Sequence, residues 1–99
     1  MKDPKQCESI EEIRECLDDI DFQVIGLLSK RMNYVKEIVK FKINEEDIVA
    51  AARQEEVINF RRKWAEMKNL DPDLMDKIFR ILIRFNIERE MKIFRNEES

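Results

Sequence analysis

The sequence predicts an all-α chain, and three observations carry the prediction. Only one of 99 residues is glycine (Gly26) and only two are proline, which leaves little material for turns. Charged residues make up 41% and hydrophobic residues 43%, with acid and base interleaved along the chain, a composition suited to long amphipathic helices with solvated outer faces. Apolar residues recur at alternating steps of four and three, and neither a strand pattern nor an internal repeat is present.

The first start signal is Ser9-Ile10-Glu11-Glu12, a capping box in which the Ser9 hydroxyl and the Glu12 carboxylate satisfy two free backbone donors reciprocally. Behind it Ile13, Leu17, Ile20, Val24, Leu27, Arg31, Tyr34, Ile38 and Phe41 form a coiled-coil seam. The pattern predicts a helix running to about Lys42, roughly 50 Å long at 1.5 Å per residue. A compact domain of this length has a radius of gyration of only about 13 Å, so the helix outruns what its own chain can wrap and a partner chain is expected. Asn44 to Asp47 reads as a short polar break. Ala50, Arg53, Val57, Phe60, Trp64 and Met67 then repeat the alternation in a second, shorter helix. Asn69-Leu70-Asp71-Pro72 makes a turn, with Asp71 at the N-cap and Pro72 at the first helical position, where its missing N–H costs nothing. The third helix extends to Phe94 or Arg95. Its inward stripe is Met75, Phe79, Leu82, Asn86, Glu90 and Ile93, while Arg80, Arg84, Glu88, Lys92 and Arg95 form a solvated face. Residues 1–99 are thus expected to form a single three-helix domain with a long first helix.

Composition also removes most of the enzyme repertoire. With no histidine and three serines, a Ser-His-Asp or Cys-His arrangement is not available, and two cysteines cannot supply a zinc site of the usual Cys/His kind. One glycine excludes a phosphate-cradling loop. No cofactor is expected. Net charge is −3 and no basic stripe with interleaved aromatics stands out, so no nucleic-acid partner is expected. The longest charge-free stretch, Phe22 to Ser29, is too short to span a bilayer, and no membrane partner is expected either. Met1 to Glu12 is acidic and lacks an apolar run, unlike a secretory or transit peptide. Cys7 and Cys16 then read as reduced thiols of a cytoplasmic protein.

The informative residues break the apolar stripes: Arg31 on the first helix, Arg53 on the second, Asn86 with Glu90 on the third. Lys42 continues the Arg31 side of the first helix, and Arg14 lies beside the seam residue Ile13. A buried unpaired charge costs several kcal/mol, so such positions are paired, solvated or arranged around a ligand. Taken singly, each has a plain structural reading. Arg31 fits a structural ion pair as well as a functional role, Arg14 and Lys42 fit a solvated face, Glu90 fits a pair with Arg31 or Arg53, and Asn86 fits a register-setting polar seam residue. The coincidence of breaks on all three helices favours a cationic pocket for a small ligand bearing more than one carboxylate.

These residues resemble the active-site pattern of the all-helical (type II) chorismate mutases, and the resemblance covers nearly the whole chain. It is nearest to the isochorismate pyruvate lyase branch, through Met1-Lys2-Asp3-Pro4 with Cys7, Ser9 to Arg14, Arg31-Met32-Asn33-Tyr34-Val35-Lys36, Phe41-Lys42 and Arg62-Lys63-Trp64-Ala65-Glu66. The resemblance implies an intertwined homodimer with two equivalent sites, each completed by Arg14 from the other subunit. It implies a cofactor-independent pericyclic reaction in which isochorismate loses its enolpyruvyl group as pyruvate and leaves salicylate, the precursor of an iron-chelating siderophore. Chorismate mutase activity is implied as a secondary or alternative reaction. Carried over by position, Arg14, Arg31 and Arg53 hold the substrate carboxylates, Lys42 faces the ether oxygen, Asn86 adds a polar contact and Ile87 an apolar wall. The segment Ile43 to Asp47 acts as a lid.

Two positions depart from the commoner pattern. Glu90 stands where the lyase branch and small bacterial mutases usually have glutamine, so it must be protonated to donate to the ether oxygen. Ala50 and Gln54 stand where mutases of this type commonly carry acids that bind the ring hydroxyl of chorismate, which tilts the resemblance towards the lyase. A reading of another class is a non-catalytic helical dimerisation or regulatory module that retains the scaffold.

Overall fold

Local capping chemistry sets the helix ends in this computed structural model, which describes residues 2–97. Met1, Glu98 and Ser99, and with Met1 the first residue of the Met1-Lys2-Asp3-Pro4 stretch, lie outside the described residues. Four α-helices follow one another: α1 (Ile10–Ile38), α2 (Glu45–Val49), α3 (Ala51–Met67) and α4 (Pro72–Phe94). Single 3-10 turns at Pro4–Gln6 and Val39–Phe41 precede and follow α1. Among the described residues there is no strand, and no helix is long and apolar enough to cross a membrane. The all-α class with a long first helix holds. The chain divides into two units, residues 1–34 and residues 35–99.

In the first unit the expected cap is present with one change of partner. The Ser9 hydroxyl accepts from the Glu12 N–H at 3.2 Å, but the Glu12 carboxylate accepts from the Glu8 N–H at 2.9 Å, one residue before the cap. Lys2 pairs with the same carboxylate at 3.3 Å. Cys7 and Cys16 are free thiols. Among the described residues of α1 none is buried, and the seam residues Ile13, Leu17, Ile20, Val24 and Leu27 all lie open. A stripe of this kind keeps its apolar area in water unless another surface covers it.

In the second unit α1 stops at Ile38, four residues before the expected end. One 3-10 turn follows, and Lys42 turns extended (φ −88°, ψ 134°) with its N–H on the Val39 carbonyl at 2.9 Å. The chain leaves the helix here because Asn44 must be extended (φ −145°, ψ 173°) to cap the next one. The expected polar break is therefore mostly helix. Asn44 and Asp47 form a reciprocal capping box: the Asn44 side chain accepts from the Asp47 N–H at 2.9 Å, and the Asp47 carboxylate accepts from the Asn44 N–H at 3.3 Å and the Ile43 N–H at 2.9 Å. Ile48 and Val39 are buried, and α2 and the 3-10 turn both pack on α4.

Ala50 divides α2 from α3 in the left-handed region (φ 40°, ψ 60°). It is a hinge between two helices and not the seam position that the periodicity predicts. The seam of α3 holds at Val57 and is otherwise corrected. Val57, Ile58 and Ala65 are the buried residues, with Ile58 only 1% exposed, whereas Phe60, Trp64 and Met67 are exposed. Two apolar stripes run along this helix and the one that meets α4 is the smaller-residued stripe. The other carries the Phe60–Trp64 ring pair (centroids 6.2 Å apart) with the Arg61 guanidinium 4.5 Å from the Trp64 ring centre. The turn into α4 uses Asn69 at φ 59°, and the Leu70 N–H returns to the Ala65 carbonyl at 2.8 Å, closing the helix end as a left-handed cap does. Asp71 caps α4 by accepting from the Asp73 N–H at 2.8 Å, with Pro72 at the first position, as the sequence predicts. Arg62 of α3 bridges to Asp73 (2.8 Å) and Asp76 (2.9 Å) of α4, and Arg80 of α4 returns to Glu55 of α3 (3.2 Å). The predicted inward stripe of α4 holds throughout: Met75, Phe79, Leu82 and Ile93 are half-buried, and Asn86 and Glu90 are buried.

Candidate active site

Asn86 and Glu90 are the only buried polar or charged side chains among the described residues, at 6% and 7% exposure. They are one helical turn apart on α4, so both project from one face. Burial of two polar groups in a unit whose other buried residues are aliphatic costs free energy unless something compensates it. For Glu90 the structure shows the compensation in part. Burial pushes its carboxyl above the usual carboxylate range, and the nearby Lys42 ammonium opposes the shift. The acid is inclined to keep its proton, and a cation stands by it.

Lys42 is half-buried and held. Its Nζ donates to the Asp47 carbonyl at 2.9 Å, so the ammonium is tied to the first turns of α2. An ammonium has three protons, and one bond to a carbonyl leaves two for another acceptor. The Asp47 carboxylate accepts from the Ile43 and Asn44 N–H groups, so Asp47 holds Lys42 through its carbonyl and the loop backbone through its side chain. The Lys42–Glu90 pair is thus a positive donor and a carboxyl that is itself a donor when protonated.

Of the other candidates, Arg53 is exposed on α3 and pairs with Glu56 one turn on. Ile87 lines an open cleft of about 300 Å³ between α3 and α4, with Gln54, Ile58 and Ile83 beside it and Arg80, Arg84 and Glu88 on the rim. Lys42, Asn86 and Glu90 do not line that cleft. Gln54 is itself engaged, donating its amide to the Val49 carbonyl at 2.6 Å. Arg14 and Arg31 belong to the first unit, Arg14 exposed and Arg31 half-buried, and partial burial lowers the Arg31 pKa. Seventeen positions of α1 separate them, about 25 Å along the axis, and they point to different sides of it. One small dicarboxylate cannot span two such groups on a single helix.

Sequence reasoning missed three contributors here. Asp47 supplies the carbonyl that holds Lys42, and Glu45 and Arg95 join in a two-point ion pair at 2.6 and 2.9 Å. The signal for the first was present: Asn44-Glu45-Glu46-Asp47 ahead of Ile48 has the spacing of a capping box, with aspartate in the place usually taken by glutamate or glutamine. The ion pair joins residues fifty positions apart and leaves no local signal.

Comparison with known proteins identifies the family of the chain. Residues 13–91 match the family model for chorismate mutase type II. The chain is 35% identical over 95 residues to an isochorismate pyruvate lyase of Pseudomonas aeruginosa, covering 96% of this chain and 94% of that one. It is 29% identical over 85 residues to a chorismate mutase of Methanocaldococcus jannaschii, covering 80% and 81%. By that family match and that likeness, together with the all-α fold, the chain belongs to the chorismate mutase type II family of enzymes.

Proposed function

We propose that this chain is an isochorismate pyruvate lyase with secondary chorismate mutase activity. The observation that carries the reading is the Lys42–Glu90 juxtaposition, a held ammonium beside a buried carboxyl whose pKa is raised by burial. In isochorismate the bond from the ring to the ether oxygen breaks, a ring hydrogen passes to the methylene carbon of the leaving enolpyruvyl group, and pyruvate departs as the ring becomes salicylate. Negative charge develops on the ether oxygen as that bond lengthens. A preorganised ammonium there stabilises the transition state more than the ground state. Protonated Glu90 adds a second donor to the same oxygen, whereas its carboxylate would repel the charge.

To Arg14, Arg31 and Arg53 we assign the two substrate carboxylates, which selects a compact conformer and so catalyses by orientation. Asn86 makes a polar contact and Ile87 an apolar wall. The separation of Arg14 from Arg31 along α1 supports a homodimer in which Arg14 serves the other subunit's site, and the open apolar stripe of α1 supplies a surface for that dimer. The lyase reading is favoured over a dedicated mutase by Ala50 and Gln54, which offer no acid for a ring hydroxyl, Gln54 being bonded to Val49. The match to the lyase over 96% of the chain points the same way. We assign the reaction to the cytoplasm and to salicylate synthesis.

The test is purified protein with isochorismate and, separately, chorismate at about pH 5 and about pH 7.5, since burial raises the Glu90 pKa and protonation favours the proposed donor. Salicylate fluorescence, pyruvate and prephenate are followed. Faster salicylate and pyruvate from isochorismate than prephenate from chorismate is the expected result. Prephenate alone would make the chain a mutase, and silence on both substrates would leave a non-catalytic module.

A further inference from the structure

We propose that Glu45 and Arg95 are positioning residues that latch α2 to the end of α4 and thereby set Lys42 against Glu90. The proposal rests on the assignment of Lys42 and Glu90 made above. A helix of five residues has no independent stability in water, where helices shorter than about 12 residues are marginal. What forms α2 is local: the Asn44–Asp47 box at one end and the Gln54 amide on the Val49 carbonyl at the other. What places it is not local. Besides the buried Ile48 side chain, an ion pair joins α2 to the α4 terminus: the Arg95 guanidinium donates to Glu45 through Nε at 2.6 Å and Nη2 at 2.9 Å. Two parallel bonds fix orientation as well as distance, which a single bond does not.

The register of the two helices gives the pair its consequence. Glu45 opens α2 two residues before Asp47, whose carbonyl holds Lys42 at 2.9 Å. Arg95 ends α4 five residues after Glu90. One ion pair therefore ties the carbonyl that carries the cation to the helix that carries the acid. Glu97 adds a further carboxylate in the field of Arg95. Both latch side chains are near half exposed (45% and 46%), so the pair is open to screening by salt and can part without unfolding the chain.

The test uses Glu45→Ala, Arg95→Ala and the conservative Arg95→Lys in the full chain. Three quantities are read: kcat and KM, hydrogen exchange of the amides of residues 44–50, and the rate at which a small acylating reagent modifies Lys42, followed by mass spectrometry. Each alanine variant is expected to lower kcat about fivefold, the equilibrium shift that an exposed ion pair can supply, while KM and Tm change little. Exchange in 44–50 and acylation of Lys42 should rise by a similar factor, Arg95→Lys should fall between, and high salt should move the parent protein towards the alanine variants. Unchanged exchange and acylation in both alanine variants would overturn the latch, and faster exchange with unchanged kcat would overturn its role in positioning. If the parent protein turns over neither isochorismate nor chorismate, the functional reading fails, and the exchange and acylation rates still decide whether the latch exists.

Discussion

The Lys42 ammonium donates to the carbonyl of Asp47 at 2.9 Å, five residues ahead of it in the chain, while the Asp47 carboxylate turns back to the Ile43 and Asn44 N–H groups. One aspartate thus closes the loop twice, once through its backbone and once through its side chain. The arrangement leaves the lysine held beside Glu90, whose carboxyl burial pushes upward.

Removal of that charge has a defined expected outcome. Lys42→Ala should lower kcat for salicylate formation about a hundredfold or more, the usual cost of losing one preorganised donor to a developing oxyanion. KM should change less, since the proposed reading gives the substrate carboxylates to the arginines and not to Lys42. A kcat within threefold of the parent, about 0.6 kcal/mol, would show that the ether oxygen is stabilised elsewhere.

Glu90 predicts two pH effects of the same sign. Its pKa in the folded chain is raised, so the folded state holds a proton that the unfolded state releases as pH rises past the ordinary carboxylate range. Stability is therefore lost as pH rises from the unfolded value through the raised folded value, because there the folded state binds more protons than the unfolded one. On the proposed mechanism, activity should fall through the same folded pKa as Glu90 ceases to be a donor. Glu90→Gln should remove both slopes, making the variant more stable and more active than the parent on the alkaline side of the window. Denaturant midpoints and salicylate rates across pH check this, and matching profiles for the two proteins would contradict the assigned role.

Assembly is tested by complementation. Arg14→Ala and Lys42→Ala should each be inactive, but a refolded equimolar mixture should regain about a quarter of the parental activity. In a two-fold dimer, half of the assemblies are mixed and each mixed dimer has one intact site. No recovery in a mixture shown by mass to contain mixed dimers would place Arg14 in its own subunit's site or outside the reaction.

Ala50→Gly should stabilise the chain. The left-handed conformation of residue 50 (φ 40°, ψ 60°) costs a residue with a Cβ about 1–2 kcal/mol, and glycine returns about 0.5–1 kcal/mol of that in backbone entropy. A net gain of about 0.5–1 kcal/mol should show as a higher denaturation midpoint. A lower midpoint would mean that the alanine limits motion between α2 and α3 at a cost the backbone strain does not outweigh.

The sequence by itself determined what depends on neighbours in the chain. Ser9 and Asp71-Pro72 start helices where they stand, because a cap needs only the next three residues. The stripe from Met75 to Ile93, with Asn86 and Glu90 in it, is legible because a helix period is a local property and the structure buries it as read. Tertiary structure decided the rest. The α3 sequence reads Val57 correctly as buried, but only packing against α4 selects Ile58 and Ala65 over Phe60, Trp64 and Met67. Arg95 reads as a solvated cation at a helix end until the fold brings Glu45 to it across fifty residues. Lys42 reads as one more helix-face lysine until α1 breaks off at Ile38 and α2 offers it a carbonyl. Capping and periodicity are written over three or four residues, whereas ion pairs between distant segments and the choice of a buried face exist only once the chain has closed on itself.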